Sequence, residues 1–181
     1  LYKITGDNKY KKIITKLLTF EKSLFSEDHN NWQDCRDFII KKYQGKVYCS
    51  TAWSHGAGGI GLTRLELLKL GVDSKQIRDD LEIALNTVLK NGFGGRHTLI
   101  YGDLGNLELV FNYATYFNNH KIKRKYDEIV THIFNEIDGE GWNLGNNKIE
   151  SLGLMAGITG IGYQCLRYVK PDKVPSVLAI N

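Results

Sequence analysis

Proline is nearly missing from this sequence. Only Pro171 and Pro175 occur, so nothing before them breaks a long helix at the backbone. No apolar run approaches the ~18 residues that cross a bilayer as a helix, and no signal peptide opens the chain. The three cysteines, Cys35, Cys49 and Cys165, are an odd number without framework spacing. That excludes a disulfide scaffold and suits a reducing cytoplasm. Methionine occurs once, at Met155, and residue 1 is leucine. The expectation is a fragment, a processed product or a trimmed chain. Strand-like alternation of apolar and polar residues is missing as well.

Charge of one sign is scarce too: the net charge is +4. Lys9, Lys11, Lys12 and Lys16 form one basic run, and Lys121, Lys123, Arg124 and Lys125 another. Apolar residues interleave both, and no aromatic platform or nucleic-acid motif accompanies them. They read as solvated helix faces, with no nucleic-acid partner. The 181 residues, 42% hydrophobic and 24% charged, suffice for one domain with its own core.

Glycine is plentiful, and it clusters. Gly-x-x-Gly occurs at 56–59, 102–105 and 157–160; successive starts differ by 102 − 56 = 46 and 157 − 102 = 55 residues. Each copy is followed by helical periodicity, as in Leu104, Leu107, Phe111, Ala114 and Phe117. An amphipathic helix also precedes each copy. The first carries Tyr10, Ile13, Ile14, Leu17, Leu18, Leu24 and Phe25, and the second Ile77, Leu81, Ala84, Leu85 and Val88. The third carries Ile122, Tyr126, Ile129, Val130, Ile133, Phe134 and Ile137. Asp73 and Gln76 have capping-box spacing before the second. Glycines at the second helix of each copy allow positive φ and close approach of helix starts. The plan predicts an all-α chain of outer–inner helix pairs, either an α/α barrel or an ordinary helical solenoid.

Three stretches carry a family likeness. Trp53-Ser54-His55-Gly56-Ala57-Gly58-Gly59-Ile60-Gly61 resembles the Trp-Cys-His-Gly-x-x-Gly-Ile-Gly segment of the cyclase domain of class II, two-domain lanthipeptide synthetases. Tyr101-Gly102-Asp103-Leu104-Gly105-Asn106 resembles that family's Cys-His-Gly-Asp-x-Gly-Asn segment. The stretch from Leu154 to Tyr163, continued by Pro171-Asp172-Lys173-Val174-Pro175-Ser176-Val177-Leu178, is similar to its C-terminal segment. The likeness is thinnest over residues 1–45. It implies an α/α toroid of seven outer and seven inner helices, of which residues 1–181 form roughly the last three pairs, as an arc. The dehydratase domain and the earlier part of the cyclase lie outside this stretch.

The resemblance implies thioether chemistry, in which a cysteine thiol of a precursor peptide adds to dehydroalanine or dehydrobutyrine. The family activates that thiol on Zn²⁺ held by two cysteines and a histidine, leaving one position open. Those ligand positions fall here on Ser54, Ile100 and Tyr101. A hydroxyl, an alkyl group and a phenol do not make a zinc cage. No metal or other cofactor is therefore expected. Cys49, His55, His97 and the more distant Cys35 lack the spacing to rebuild it. His55 is the candidate catalytic base, weighed against a histidine merely hydrogen-bonded near a helix start. Trp53, Tyr101 and Asp103 are peptide-binding candidates; Asp103 also reads as a helix cap, and the two aromatic residues as packing between helices. Arg64 and Glu66 read as surface or inter-helix pairs, and Glu108 as a polar contact of Asn112.

Three readings stay open: a degenerate cyclase that binds a precursor peptide or supports its synthetase, a zinc-independent cyclase using His55, and a helical scaffold. A glycosidase-like α/α barrel lacks a convincing carboxylate pair. Expected partners are the precursor peptide and the missing dehydratase domain or cyclase segment, with membrane-transport machinery reached only indirectly. The arc's raw apolar flanks also predict self-association.

Overall fold

Two different devices start the helices, and they separate an outer from an inner set. In the computed structural model, which describes residues 1–145 and 151–179, α2 (Asn8–Ser23), α5 (Lys75–Asn91) and α7 (His120–Glu140) open on side-chain caps. Asp7 accepts the N–H of Lys9, Ser74 that of Ile77 and Asn119 that of Ile122. Each carboxylate, hydroxyl or amide oxygen satisfies a donor that the first turn leaves unpaired. By contrast α4 (Ala57–Lys69), α6 (Asp103–Tyr116) and α8 (Ile158–Val169) open on Gly56, Gly102 and Gly157, with no side-chain cap. Two short helices, α1 (Tyr2–Thr5) and α3 (Asp37–Lys42), complete the described set. The capping box expected at Asp73 and Gln76 is displaced: Ser74 is the cap, Asp73 pairs with Arg78, and Gln76 reaches back to the Leu18 carbonyl.

The glycine loops share one contact, repeated three times. A Cβ on the first glycine of each motif would overlap the carbonyl oxygen six residues earlier, in Ser50, Arg96 and Ser151. A Cβ on the second glycine would overlap the oxygens of Trp53, Leu99 and Leu154, again six residues back. Positive φ is not the general reason for these residues. Gly56 has φ 88°, but Gly102 and Gly157 lie near −132° and −133°, which any residue adopts. Close backbone approach demands them.

The first residue of each inner helix then bonds the same carbonyl region. Asp103 N–H donates to Arg96 O (2.7 Å) and Ile158 N–H to Ser151 O (2.9 Å). In the first copy the Asn31 amide stands between the two groups. Its Oδ1 accepts from Ala57 N–H (2.8 Å), while its Nδ2 donates to Ser50 O (3.1 Å). Asn31 belongs to a two-stranded hairpin of β1 (Phe25–Ser26) and β2 (Asn31–Trp32). Strand structure was not expected at all, and this hairpin is too short to leave a periodic signature.

The inner helices α4 and α6 lie side by side, with α5 packed on α4 and α7 on α6. The expected stripe on α5 (Ile77, Leu81, Ala84, Leu85, Val88) is buried; of that on α7, Tyr126, Val130 and Ile133 are buried and Ile122, Ile129, Phe134 and Ile137 half-buried against the core. The single stripe expected on α6 is not what forms. Eleven of its fourteen residues are buried, Asn106, Glu108 and Asn112 among them, because neighbours cover it on every side. On α2 the stripe faces the core only through Leu18 and partly Ile14; Ile13, Leu17 and Phe20 stand about half exposed. Leu24 and Phe25 fall beyond the end of that helix. At the other flank Leu166 and Val169 of α8 are exposed.

Buried ion pairs cross-link the layers. Arg64 of α4, fully buried, donates to Glu21 of α2 (2.6 Å) and Asp80 of α5 (3.0 Å). Glu108 of α6 accepts from Arg167 (2.6 Å) and Gln164 (2.7 Å) of α8, and from Asn112 one turn along its own helix. Glu66 stays within its helix, paired to Lys69.

The glycine contact yields a paired test. Gly105→Ala places a methyl group against the Leu99 carbonyl and is expected to cost about 1–3 kcal/mol. Gly162→Ala, in α8 with nothing near its would-be Cβ, is expected to gain up to about 1 kcal/mol. Chemical denaturation of both variants measures the contrast, and equal effects would remove the packing explanation.

Candidate functional site

The residue two places before each first glycine is Ser54, Ile100 or Met155, and the backbone strings these three together. Ser54 N–H donates to Ile100 O (3.1 Å), and Ile100 N–H donates to Met155 O (2.9 Å). Three loops separated by 46 and 55 residues in sequence therefore meet crest to crest. Ser54 and Ile100 are adjacent at that meeting point, and both are half-buried. Tyr101 follows Ile100 and is 47% exposed, so it is not packed between helices.

Beside the crests lies a cleft of about 560 Å³, walled by Trp53, Ser54, His55, the α4 face around Thr63, and Leu178 with Ala179. Trp53 is half-buried, and its indole N–H donates to the Leu178 carbonyl (3.3 Å). His55 places Nδ1 3.0 Å from the Ser54 hydroxyl. That contact satisfies the bland expectation of a hydrogen-bonded histidine, while the ring also lines the cleft.

A carboxylate–guanidinium pair stands behind His55, unforeseen from the sequence. Asp34 is buried, and Arg36 grips both its oxygens through Nε (2.9 Å) and Nη2 (2.6 Å). These hydrogen bonds hold the Asp34 carboxyl below the usual carboxylate range. Burial pushes the His55 imidazole below its ordinary value of 6.5; the Arg36 charge pushes the same way and Asp34 partly opposes. His55 is thus a neutral imidazole at neutral pH. The spacing Asp-x-Arg at 34–36 is the only sequence trace of this pair, and it is too common to single out.

Asp103 does not cap α6. Its carboxylate accepts from the N–H groups of Gly94 and Gly95, in the turn after α5. Burial raises its pKa, and those two bonds oppose the rise. Asp103 therefore braces the loop behind the crest and does not line the cleft. Asn106 does similar work, donating to Thr51 O (2.9 Å) and Gly92 O (2.7 Å).

His97 lies apart from His55, in a separate depression with Glu136 and Trp142. Its ring, Asp103 and Glu136 each bring a polar atom within 4.8 Å of the others. His97 Nδ1, however, accepts the Asn143 N–H (3.0 Å). The neutral ring then carries its proton on Nε2, the nitrogen 4.0 Å from Glu136, and offers no lone pair there to a cation. All three cysteines are free, and burial raises the thiol pKa of Cys49 and Cys165, which disfavours thiolate.

Paired helices opened by glycine loops, with a cleft at the loop crests, define an all-α protein whose site is made of loops held on inner helices. The profile of the lanthionine synthetase C-like protein family matches residues 1–179. The chain is also 30% identical over 182 residues to the lacticin 481/lactococcin biosynthesis protein LcnDR2 of Lactococcus lactis subsp. lactis, an alignment covering 93% of this chain and 19% of that protein. The chain belongs to the lanthionine synthetase C-like family. It spans about a fifth of that relative's length, and no described helix is long and apolar enough to cross a membrane.

The His55 environment is directly testable. A histidine with a depressed folded pKa adds stability above the unfolded value near 6.5 and loses it as pH falls through the folded one. Titration of the His55 ring by NMR should show a midpoint below 6.5. Arg36→Gln should raise it, because a repelling cation leaves and Asp34 is freed to attract the proton. An unmoved midpoint would contradict this electrostatic assignment.

Proposed function

We propose that this chain is a cyclase-like part of a lanthipeptide synthetase that holds a precursor peptide in the cleft beside Trp53, Ser54 and His55, without the family's zinc chemistry. The observation that carries the reading is the meeting of Ser54 and Ile100 through one backbone hydrogen bond. The loops still bring the ligand positions of the family likeness together, yet the side chains there are a hydroxyl and an alkyl group. Tyr101, the third position, adds only a phenol. Such a donor set does not fit Zn²⁺, which takes thiolate, imidazole or carboxylate. Of the proposed peptide contacts, Trp53 walls the cleft, Tyr101 stands exposed next to Ile100, and Asp103 braces the Gly94–Gly95 turn.

Partners follow from the uncovered surfaces. The half-exposed Ile13, Leu17 and Phe20 of α2 form an apolar face of the kind that a neighbouring helix pair, a dehydratase domain or a second copy covers. Three free thiols suit a cytoplasmic setting.

The neutral His55 ring favours one second reading, zinc-independent ring closure. In that reaction a base takes the thiol proton, sulfur bonds the β-carbon of the dehydro residue, and a proton is delivered to its α-carbon.

Metal analysis of the purified full chain tests the first reading. Zinc well below one ion per chain is expected, and tightly held stoichiometric zinc would overturn it. Incubation with a dehydrated cysteine-containing peptide tests the second. Thiol loss above the uncatalysed rate, abolished by His55→Ala, is the outcome it requires.

A further inference from the structure

The loop after α5 and the segment after α7 are bonded to each other, and together they leave one buried donor facing the depression beside His97. His97 N–H donates to Asn143 O (2.7 Å), Asn143 N–H donates to His97 Nδ1 (3.0 Å), and Asn143 Nδ2 donates to Gly95 O (3.0 Å). With Nδ1 accepting, the neutral ring is a donor at Nε2. The side chain is only 4% exposed, and among the described residues Nε2 makes no hydrogen bond: the Glu136 Oε2 that faces it is 4.0 Å away. Asp103 does not answer it, since its carboxylate is occupied by the Gly94 and Gly95 N–H groups.

The depression has a volume of about 420 Å³, and its charged lining is acidic: Glu136 and Glu140, with no lysine or arginine. His132, largely exposed, stands 3.5 Å from Glu136 Oε1, which leaves Oε2 on the His97 side. Helix α7 ends at Glu140, so the negative end of its peptide dipoles reinforces both carboxylates. Trp142, 45% exposed, lines the same depression and offers a ring face to a cation.

These groups ask for two things in one ligand. An acceptor must meet His97 Nε2–H, and a positively charged donor must meet the carboxylates. A metal ion or a simple ammonium supplies the second and leaves the buried imidazole N–H unanswered. The first residue of a peptide supplies both, because its α-ammonium and its carbonyl oxygen are only three bonds apart. We propose that this depression binds the amino terminus of a peptide. The first carbonyl accepts from His97 Nε2, and the α-ammonium donates to Glu136 and Glu140 beside the Trp142 ring. The site is separate from the cleft at His55 and does not rest on the function proposed for that cleft.

The probe is the dipeptide amide Ala-Ala-NH₂ at neutral pH, followed on the full chain by NMR of the His97 ring and the Trp142 indole. Saturable shifts at both are expected. The N-acetylated dipeptide amide keeps the carbonyls and loses the charge, whereas ethylammonium keeps the charge and loses the carbonyl. Each is expected to bind at least about tenfold more weakly. Glu136→Gln keeps the side-chain shape at a 39%-exposed position and should weaken the probe at least about fivefold. Shifts that never saturate, or equal affinity for all three compounds, would mean that only water bridges His97 and Glu136, and would overturn the proposal. Shifts of the His55 ring without any at His97 would assign the terminus to the cleft and overturn it equally. Should Glu136→Gln fail to fold, the three compounds on the wild type decide. Zinc content and thioether formation enter neither readout, so this test and that of the cyclase reading fail separately.

Discussion

Three helix starts pressed against backbone carbonyls are the constraint on which the rest of the structure depends. Each inner helix begins where a glycine Cα lies against an oxygen six residues upstream, so the preceding loop is folded flat onto the helix it introduces. Flat loops can stack, and the bonds from Ser54 to Ile100 and from Ile100 to Met155 are the result. With a side chain at any of these glycines, the loop would stand off and the crests would not meet. The architecture therefore ties the position of the cleft to backbone sterics, leaving the residues at the crests free to vary in chemistry.

Polar groups buried between the layers add registry more than cohesion. Removing a guanidinium and a carboxylate from water costs several kcal/mol per ion, and their attraction repays that only with good geometry and further hydrogen bonds. Glu108 has them: Arg167, Gln164 and Asn112 all reach it. Arg64 is less complete, since among the described residues its Nη2 finds no partner while Nε and Nη1 bind Asp80 and Glu21. An apolar core would slide among several packings of Leu, Ile and Val; a paired charge does not. Arg64 thus pins α2 and α5 to α4, and Arg167 pins α8 to α6. Arg167 also donates to the Val174 carbonyl, so one side chain ties both α8 and the segment that leads to the cleft wall at Leu178.

Outer helices were legible in the sequence because water covers one face and leaves a 3.6-residue rhythm, clearest on α5 and α7. Inner helices were legible only by their glycines. On α6 the expected polar contact of Glu108 with Asn112 forms, but Asn106, Glu108 and Asn112 are also buried on tertiary partners, which no local pattern reveals. The same limit explains Asn31. It substitutes for a direct bond between Ala57 N–H and Ser50 O from 26 residues away, and its neighbours carry no glycine signature. At the site, the crest residues Trp53, Ser54, His55, Ile100 and Tyr101 were found through the family likeness. Asp34, Arg36 and the docking of Leu178 were not, because each depends on contacts between distant segments; Trp53 and Leu178 are 125 residues apart.

A neutral imidazole, a hydroxyl and an indole N–H along one cleft wall give the site a definite chemical character. None carries charge at neutral pH, and the Arg36 charge behind them is spent on Asp34. Such a wall suits main-chain amides, which present a carbonyl and an N–H at each residue and carry no net charge. It does little for a free carboxylate or phosphate, for which a paired guanidinium has no spare bidentate face. Within the fold the indole N–H of Trp53 already binds a main-chain carbonyl, that of Leu178. Besides His55, the titratable groups that line the cleft are Glu21 and Glu66, each paired to a cation, Arg64 and Lys69. His55 has a depressed pKa, which keeps its lone pair available at neutral pH but makes it a weaker base than a free imidazole.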